Sequence, residues 1–521
     1  MTCLMVFLNH NDIHYQVSGN GHSSTHNTAM PQKEKIRIFY SLLIIAVVGL
    51  LLRIINLGEP LWVDEVCSWS FARRMPFTHM WHVALSDPTP PLYYALLHFV
   101  IRFAGENPAI MRLPSVFFGT LMIPIIYWAM RQGSFSRIDS LYASLVCALS
   151  SMLIFYSQEL RAYILLTFWG VLSVGLLFRC LRGYSLSNLL FYSASIFILS
   201  YTHRYAFLLI FAQMIALIIT KNWPLFKVLC AACFLTLILP LLQIIQGTFI
   251  VTEALDRVSD FGSVFELINK LNSGIIEWRK LTVWKPGPYV SYPQPTVNLF
   301  LTVAGLVTFV IIFCCGWIKR KEYTSEQRQN IKILIICILV PSALALLAGS
   351  ALVPKPMWLQ RGLLYIWPLY YMLAVIACSK TKARAVLMLM VIIINACSLY
   401  PYYTLYARYP YAAALIQLNS TTTPDDLIIA DQYWYYETIN YYYHGPAQRA
   451  AYWKRKGWID LKQLSKSDKP FHESPPYTVP PPKATGNVYF FIGMSNPAVM
   501  REFQHNAIFT FDAKTQWERL K

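Results

Sequence analysis

Long apolar segments recur along most of this chain, and they restrict what it can fold into. Eleven of them lie at 37–56, 113–130, 140–156, 162–178, 187–202, 205–220, 224–245, 298–317, 332–353, 361–378 and 384–401. A helix needs about twenty mostly apolar residues to cross the hydrocarbon core of a bilayer. The chain is also 56% hydrophobic and only 13% charged, which is too apolar for a soluble globule of 521 residues. We therefore predict a polytopic α-helical membrane protein with about eleven spans.

The basic residues lie in short segments between the apolar runs, as in cytoplasmic loops. A twelfth run, 91–104, is short and carries His98 and Arg102. If it lies on the membrane surface, all the later basic loops fall on the same side as the basic residues of 33–37. We therefore predict an interfacial amphipathic helix in the first outer loop. The excess of Lys and Arg, 44 against 26 Asp and Glu, then reflects topology, and we expect no nucleic-acid partner.

The spans divide the chain into three parts. Residues 1–35 are polar and lack the pattern of a cleaved signal peptide, so we predict a cytoplasmic tail, with Met30 as an alternative start. Residues 36–402 form the predicted membrane domain. With eleven spans, the outer side receives the loop 57–112, the segment 246–297 and everything after about 402.

The hydropathy pattern changes after residue 403. The runs 426–431 and 487–493 are short and apolar, as in buried strands, and 497–505 has the pattern of a helix. We predict that 403–521 forms a small extracytoplasmic α/β domain.

An adjacent pair of acids, Asp64 and Glu65, follows the first apolar segment and lies between Trp62 and Trp69. Acids are common at helix starts, where they cap the helix and interact favourably with its dipole. Tryptophans near a span are often interface anchors. The pair can therefore be structural or catalytic, and the motifs that follow it favour catalysis.

Four further motifs appear in a fixed order after the acid pair. They are Pro-Pro-Leu-Tyr-Tyr at 90–94, Arg-Leu-Pro-Ser at 112–115, Ser-Gln-Glu-Leu-Arg-Ala-Tyr at 157–163 and Thr-His-Arg-Tyr at 202–205. Over about 57–205 the chain resembles bacterial membrane glycosyltransferases of the GT-C class, in the family of the protein O-mannosyltransferases (glycosyltransferase family 39) and the aminoarabinose transferases. Arg204 stands before Tyr205 where the family has an aromatic residue directly after the histidine.

The resemblance implies a GT-C fold and a sugar donor linked to polyprenyl phosphate. It makes Asp64 the catalytic base, with Glu65 either orienting Asp64 or holding a cation. It also implies inversion at the anomeric carbon, a lipid, glycan or protein acceptor, and an active site that faces the periplasm from a bacterial inner membrane. The chemistry agrees, because a carboxylate must accept the acceptor proton as the new bond forms.

The departing phosphate requires positive charge close to it. The candidates are Arg112, Arg161, Lys355 and Arg361. Each arginine can instead extend to the lipid headgroups. Glu159 and His203 are candidates for binding substrate or a metal ion, and a divalent cofactor stays an open alternative.

Two other classes of protein share some of these features. A transporter or lipid flippase would also have many spans and a few functional charges, but it often has related halves and interrupted helices. A membrane scaffold that presents residues 403–521 to a partner needs no catalytic acids. The occurrence of Asp64, Glu159 and Arg361 together favours the transferase.

Overall fold

The computed structural model describes residues 31–85, 89–236, 271–272, 295–347, 360–404, 411–430, 433–453, 457–459, 488–492, 507–512 and 517–519. Three predictions fall outside these ranges. They are the tail up to Met30, the phosphate-binding role of Lys355, and the helix at 497–505. Most of the outer segment 246–297 also lies outside them.

The part of the chain that the structure describes before residue 405 is helical. Its helices are α1 (Gln32–Ile54), α2 (Val63–Ala72), α3 (Phe77–Leu85), α4 (Leu92–Ala104), α5 (Pro108–Gln132), α6 (Arg137–Leu149), α7 (Ser151–Ser157), α8 (Tyr163–Arg182), α9 (Leu186–Ser200), α10 (Ala206–Ile219), α11 (Trp223–Thr236), α12 (Pro295–Lys319), α13 (Ser325–Leu347), α14 (Ile366–Cys378) and α15 (Arg384–Thr404). Short 3₁₀ turns at Arg320–Glu322 and Gln360–Leu363 follow α12 and precede α14.

Six of these helices are long and apolar enough to cross a membrane, namely α1, α5, α8, α12, α13 and α15. The pair α6–α7 makes a seventh if it counts as one bent span. The remaining four predicted spans fall on α9, α10, α11 and α14, which are apolar but shorter. The protein is thus a helical membrane protein, whereas the count of eleven spans stays a prediction. Helix α4 coincides with the predicted interfacial helix and has 13 residues.

The predicted span 140–156 is not one straight helix. It breaks at Ser150, whose backbone is extended (ψ 115°), and the two halves meet at 60°. The buried side chain of Arg53, at the end of α1, connects both halves. Its Nη1 donates to the carbonyl of Ala148 at 3.2 Å and its Nε donates to Ser157 Oγ at 3.1 Å. The arginine thus satisfies a backbone carbonyl that the break leaves without a helical partner.

The segment that follows α7 is tied to the end of α1. Gln158 Nε2 donates to the carbonyl oxygens of Ile55 at 2.6 Å and Arg53 at 3.1 Å. The last carbonyls of a helix have no partner within the helix, so a buried amide donor stabilises them. The same contacts place 158–161 beside the loop that leads into α2.

A small α/β unit follows α15. It contains α16 (Tyr411–Thr421), α17 (Tyr433–Tyr442) and six strands: β1 (Leu427–Ala430), β2 (Gln448–Trp453), β3 (Gly457–Ile459), β4 (Val488–Ile492), β5 (Ala507–Asp512) and β6 (Trp517–Arg519). The strand order is β3-β2-β1-β4-β5-β6, with parallel pairs at the centre and antiparallel pairs at both edges. The strands predicted at 426–431 and 487–493 are β1 and β4. The domain boundary and its side of the membrane stay predictions.

This unit packs against α2, the helix that carries Asp64. Val63 belongs to the same buried apolar cluster as Leu415, Ile428 and Ile439. The ring of Tyr441 meets the ring of Trp69 edge-on, with centroids 4.8 Å apart. Helix α2 is therefore held between the membrane helices and α17.

Candidate active site

Helix α2 begins directly after Trp62, and Glu65 caps its first turn. The backbone N–H of Trp62 donates to Glu65 Oε2 at 3.2 Å, which is half of a capping box. Asp64 and Glu65 both lie in the first turn, where negative charge is stabilised by the helix dipole. Glu65 thus caps its own helix, and its predicted part in catalysis stays a prediction.

Glu65 also forms a fully buried ion pair with Arg112, which lies in the first turns of α5. Arg112 Nε donates to Oε1 at 2.8 Å and Nη2 donates to Oε2 at 2.6 Å. The backbone N–H of Leu160 donates to Oε1 at 2.8 Å as well. Glu65 therefore joins α2, α5 and the segment after α7, and its carboxylate faces protein on every side.

Arg112 uses its remaining donors on the loop before α2. Nη1 donates to the carbonyls of Leu57 at 2.7 Å and Glu59 at 2.6 Å, and Nη2 donates to Pro60 at 3.2 Å. A guanidinium has five N–H donors, and these contacts account for all of them. In this structure all donors of Arg112 thus have partners within the protein, and its phosphate-binding role stays a prediction.

Asp64 has a different environment from its neighbour. Its Oδ2 accepts from Arg361 Nη1 at 2.5 Å, and the side chains are 17% and 30% exposed. Arg161 Nη1 donates to the backbone carbonyl of Asp64 and to Ser68 Oγ, both at 3.2 Å. The structure therefore brings together Asp64, Arg161 and Arg361, three of the predicted site residues, at a partly open position.

Arg361 is held in place by the turn Gln360–Leu363. A Cβ at Gly362 would lie 2.6 Å from the ring of Tyr205, so only glycine lets this turn press against the ring. Tyr365 Oη donates to the carbonyl of Tyr205 at 3.4 Å. These contacts join the turn before α14 to the Thr-His-Arg-Tyr motif. They fix the backbone from which the Arg361 side chain extends.

His203 is buried beside the same cluster. Its ring centroid lies 5.5 Å from those of Tyr163 and Tyr205. Burial, together with the positive charges of Arg161, Arg361 and Arg204, lowers the pKa of His203 from 6.5 to about 3. The backbone N–H of Tyr205 donates to Nδ1 at 3.2 Å, so in the neutral ring the proton is on Nε2. This arrangement makes His203 a neutral hydrogen-bond donor, and a metal ion at Nε2 would require the other tautomer.

Glu159 is buried between Gln158 and Leu160, in the segment that contacts both α1 and Glu65. Among the residues that the structure describes, no three His, Cys, Asp or Glu side chains are grouped closely enough to hold a metal ion. The roles predicted for Glu159 and for a divalent ion remain predictions.

Tyr163, a buried residue at the start of α8, belongs to the site although the sequence did not single it out. The guanidinium carbons of Arg361 and Arg161 lie 5.5 and 5.7 Å from its ring centroid. Its position in the motif at 157–163 was a signal, but a tyrosine there can equally be an interface anchor.

Solved structures give an independent view of this fold. The chain is similar to ArnT from Cupriavidus metallidurans in the apo state, with a TM-score of 0.54 and 13% identity over 80% of this chain and 85% of that chain. ArnT from the same organism bound to undecaprenyl phosphate gives 0.51 and 13% identity, covering 80% of this chain and 86% of that one. The chain therefore shares the overall fold of this ArnT. At this identity the likeness concerns the fold alone.

A weaker similarity is found to the Saccharomyces cerevisiae protein O-mannosyltransferase complex Pmt1–Pmt2 bound to the sugar donor. Its TM-score is 0.32, with 19% identity over 43% of this chain and 34% of that chain. No protein-family model matches the sequence, and no curated protein matches it.

Proposed function

We propose that this protein is a membrane glycosyltransferase that moves a sugar from a polyprenyl-phosphate-linked donor to a lipid, glycan or protein acceptor. The proposed site faces the periplasm from a bacterial inner membrane. The observation that carries this proposal is the 2.5 Å contact between Asp64 Oδ2 and Arg361 Nη1. In this contact the carboxylate of Asp64, which can act as a base, lies beside the guanidinium of Arg361, which can bind a phosphate. The undecaprenyl phosphate bound to ArnT, a protein of similar fold, supports this class of donor.

In the proposed reaction the acceptor oxygen or nitrogen attacks the anomeric carbon of the donor sugar. The bond from that carbon to the phosphate oxygen breaks, and its electron pair leaves with the phosphate. Asp64 accepts the proton that the acceptor loses. Arg361 and Arg161 balance the charge that develops on the leaving phosphate, and His203 donates a hydrogen bond without changing its own charge. Lys355 stays a further proposed phosphate ligand.

Arg361 Nη1 contacts Oδ2 of Asp64, the proposed base. A carboxylate that accepts a charge-assisted hydrogen bond is a weaker proton acceptor than a free one. The phosphate of the donor is a second anion that competes for Arg361. Donor binding would then move Arg361 towards the phosphate and leave Asp64 available to the acceptor.

The decisive experiment uses purified protein and a radiolabelled polyprenyl-phosphate sugar. We expect label to move to an acceptor in membrane extracts, and Asp64→Asn to lower the transfer rate by about 10²- to 10⁴-fold, the usual contribution of a general base. Asp425→Asn, at an exposed position outside the site, serves as the matched control. If Asp64→Asn transfers label at the wild-type rate while its melting temperature is unchanged, Asp64 is not the base.

One observation favours the rival class of transporters. The break between α6 and α7 resembles the interrupted helices that line transporter sites. Here, however, Arg53 satisfies the carbonyl of Ala148 at the break. Flux of a labelled polyprenyl-phosphate sugar across proteoliposomes, with no transfer in the assay above, would favour the transporter.

A further inference from the structure

We propose that Tyr163 is a positioning residue that holds Arg161 and Arg361 within reach of a single phosphate. The ligand is the phosphate of the donor, so this inference rests on the proposed function. Tyr163 would not touch the reacting atoms, because it acts through the two arginines.

The two guanidinium groups come from distant parts of the chain. Arg161 lies two residues before Tyr163, whereas Arg361 lies in the turn Gln360–Leu363 before α14. Both guanidinium carbons nevertheless lie within 6 Å of the same ring, at 5.7 and 5.5 Å. Like charges repel, so a group that attracts both makes it less costly to hold them together before an anion arrives.

The face of an aromatic ring carries partial negative charge and attracts a cation, most strongly where water is excluded. Tyr163 is buried, and its ring meets that of Tyr156 edge-on at 5.5 Å, which restricts how it can turn. The ring therefore offers a fixed surface to both arginines. It does not neutralise them, so their charge stays available for a phosphate.

The hydrogen-bonding state of Arg361 supports an anionic ligand. Nη1 donates to Asp64, but Nε is buried and has no hydrogen-bond partner among the residues that the structure describes. A buried guanidinium donor without a partner is unfavourable, and a phosphate oxygen would satisfy it. A phosphate can accept from two donors of one guanidinium, so it would bind Nε together with one of the terminal nitrogens of Arg361.

The test measures the affinity of the full-length protein, in detergent micelles, for undecaprenyl phosphate and for inorganic pyrophosphate. We expect Tyr163→Leu to weaken binding of both anions by roughly 5- to 30-fold, the range of a desolvated cation–π contact. Tyr163→Phe keeps the ring and should restore most of the affinity. Tyr40→Leu, a change at an exposed tyrosine of α1, is the matched control.

A double-variant cycle separates positioning from a general effect on folding. If Tyr163 acts through the arginines, the loss caused by Tyr163→Leu should shrink to about threefold or less in an Arg361→Gln background. An equal loss in both backgrounds, or a loss for Tyr163→Phe as large as for Tyr163→Leu, overturns the inference. If the wild-type protein binds pyrophosphate but not undecaprenyl phosphate, the proposed donor is wrong. The effect of Tyr163→Leu on pyrophosphate affinity then still decides the role of Tyr163. Failure to bind either anion overturns both proposals.

Discussion

Asp64 and Glu65 are neighbours in one helical turn, yet their carboxylates meet different surroundings. Glu65 is buried and saturated by Arg112, Leu160 and Trp62. Asp64 is partly exposed and touches Arg361. Glu65 therefore holds several segments of the candidate site together, whereas Asp64 is the more accessible of the two carboxylates.

This difference predicts how the two acids affect stability. Glu65→Ala leaves the buried charge of Arg112 without its partner and should lower the free energy of unfolding by about 3–5 kcal/mol. The double variant Glu65→Leu/Arg112→Met removes both charges and should recover much of that loss. Urea titration in detergent micelles measures the difference. A double variant as unstable as Glu65→Ala would show that the pair is needed for more than charge balance.

His203 predicts a pH dependence of stability. Its pKa is lowered to about 3 in the folded protein, from 6.5, so below about pH 6.5 the unfolded chain binds a proton that the folded chain does not. The contribution of neutral His203 to the free energy of unfolding is fully present above about pH 6.5. It should fall by about 1.4 kcal/mol per pH unit as the pH drops towards the pKa of the folded state. His203→Phe should remove this part of the slope. Unfolding titrations at several pH values test it, and identical slopes for the variant and the wild type would contradict it.

At the scale of elements, the break at Ser150 brings the motif at 157–163 towards α2. Arg53 stabilises this geometry, since it reaches Ala148 on one half, Ser157 on the other and the carbonyl of Gly49 in its own helix at 2.8 Å. Gly119 also permits the close packing, because a Cβ there would lie 2.1 Å from Ser157 Oγ.

We therefore expect Arg53→Met to lower stability by about 1–3 kcal/mol, because buried acceptors lose their donor. The same change should weaken donor binding as well, since the segment with Arg161 follows the break. Arg37→Met, in the same helix but near its other end, is the control. If Arg53→Met binds the donor with wild-type affinity, the break at Ser150 does not influence the donor site.

At the scale of the whole molecule, the C-terminal unit and the first loop contact each other. Tyr441 Oη donates to the carbonyl of Glu106 at 3.0 Å, and Tyr442 Oη donates to that of Leu61 at 3.1 Å. Glu437 also lies 3.7 Å from Arg73. Segments in contact must lie on the same side of a membrane, whatever the number of spans.

This contact predicts the result of a labelling experiment in a background without native cysteines. Cysteines at Phe103, which is 80% exposed, and at exposed His444 should both react with a membrane-impermeant maleimide added outside intact cells. A cysteine at exposed Lys321 should react only after the membrane is opened. Opposite accessibility at Phe103 and His444 would contradict the docking of α17 on the first loop.

The sequence was enough to name many residues of the candidate site, but it did not show how they contact one another. The motifs pointed to Asp64, Arg161, His203 and Arg361, and the structure brings these four together. Arg112 came from the same motifs, but its partners at Leu57, Glu59 and Pro60 are backbone carbonyls that no motif records. Tyr163 was overlooked for a related reason: a shared ring becomes visible only when two distant arginines meet it.

The sequence by itself determined that this is a helical membrane protein and where its apolar segments lie, because hydrocarbon requires long helices whose backbone groups bond internally. It also identified the strands β1 and β4 from short apolar runs. Only the tertiary structure decided which acid of the pair is fully buried and which is partly exposed. That choice depends on Arg112, 47 residues from Glu65, and on Arg361, 297 residues from Asp64. Burial and charge pairing arise between distant segments, so local pattern cannot separate two adjacent carboxylates.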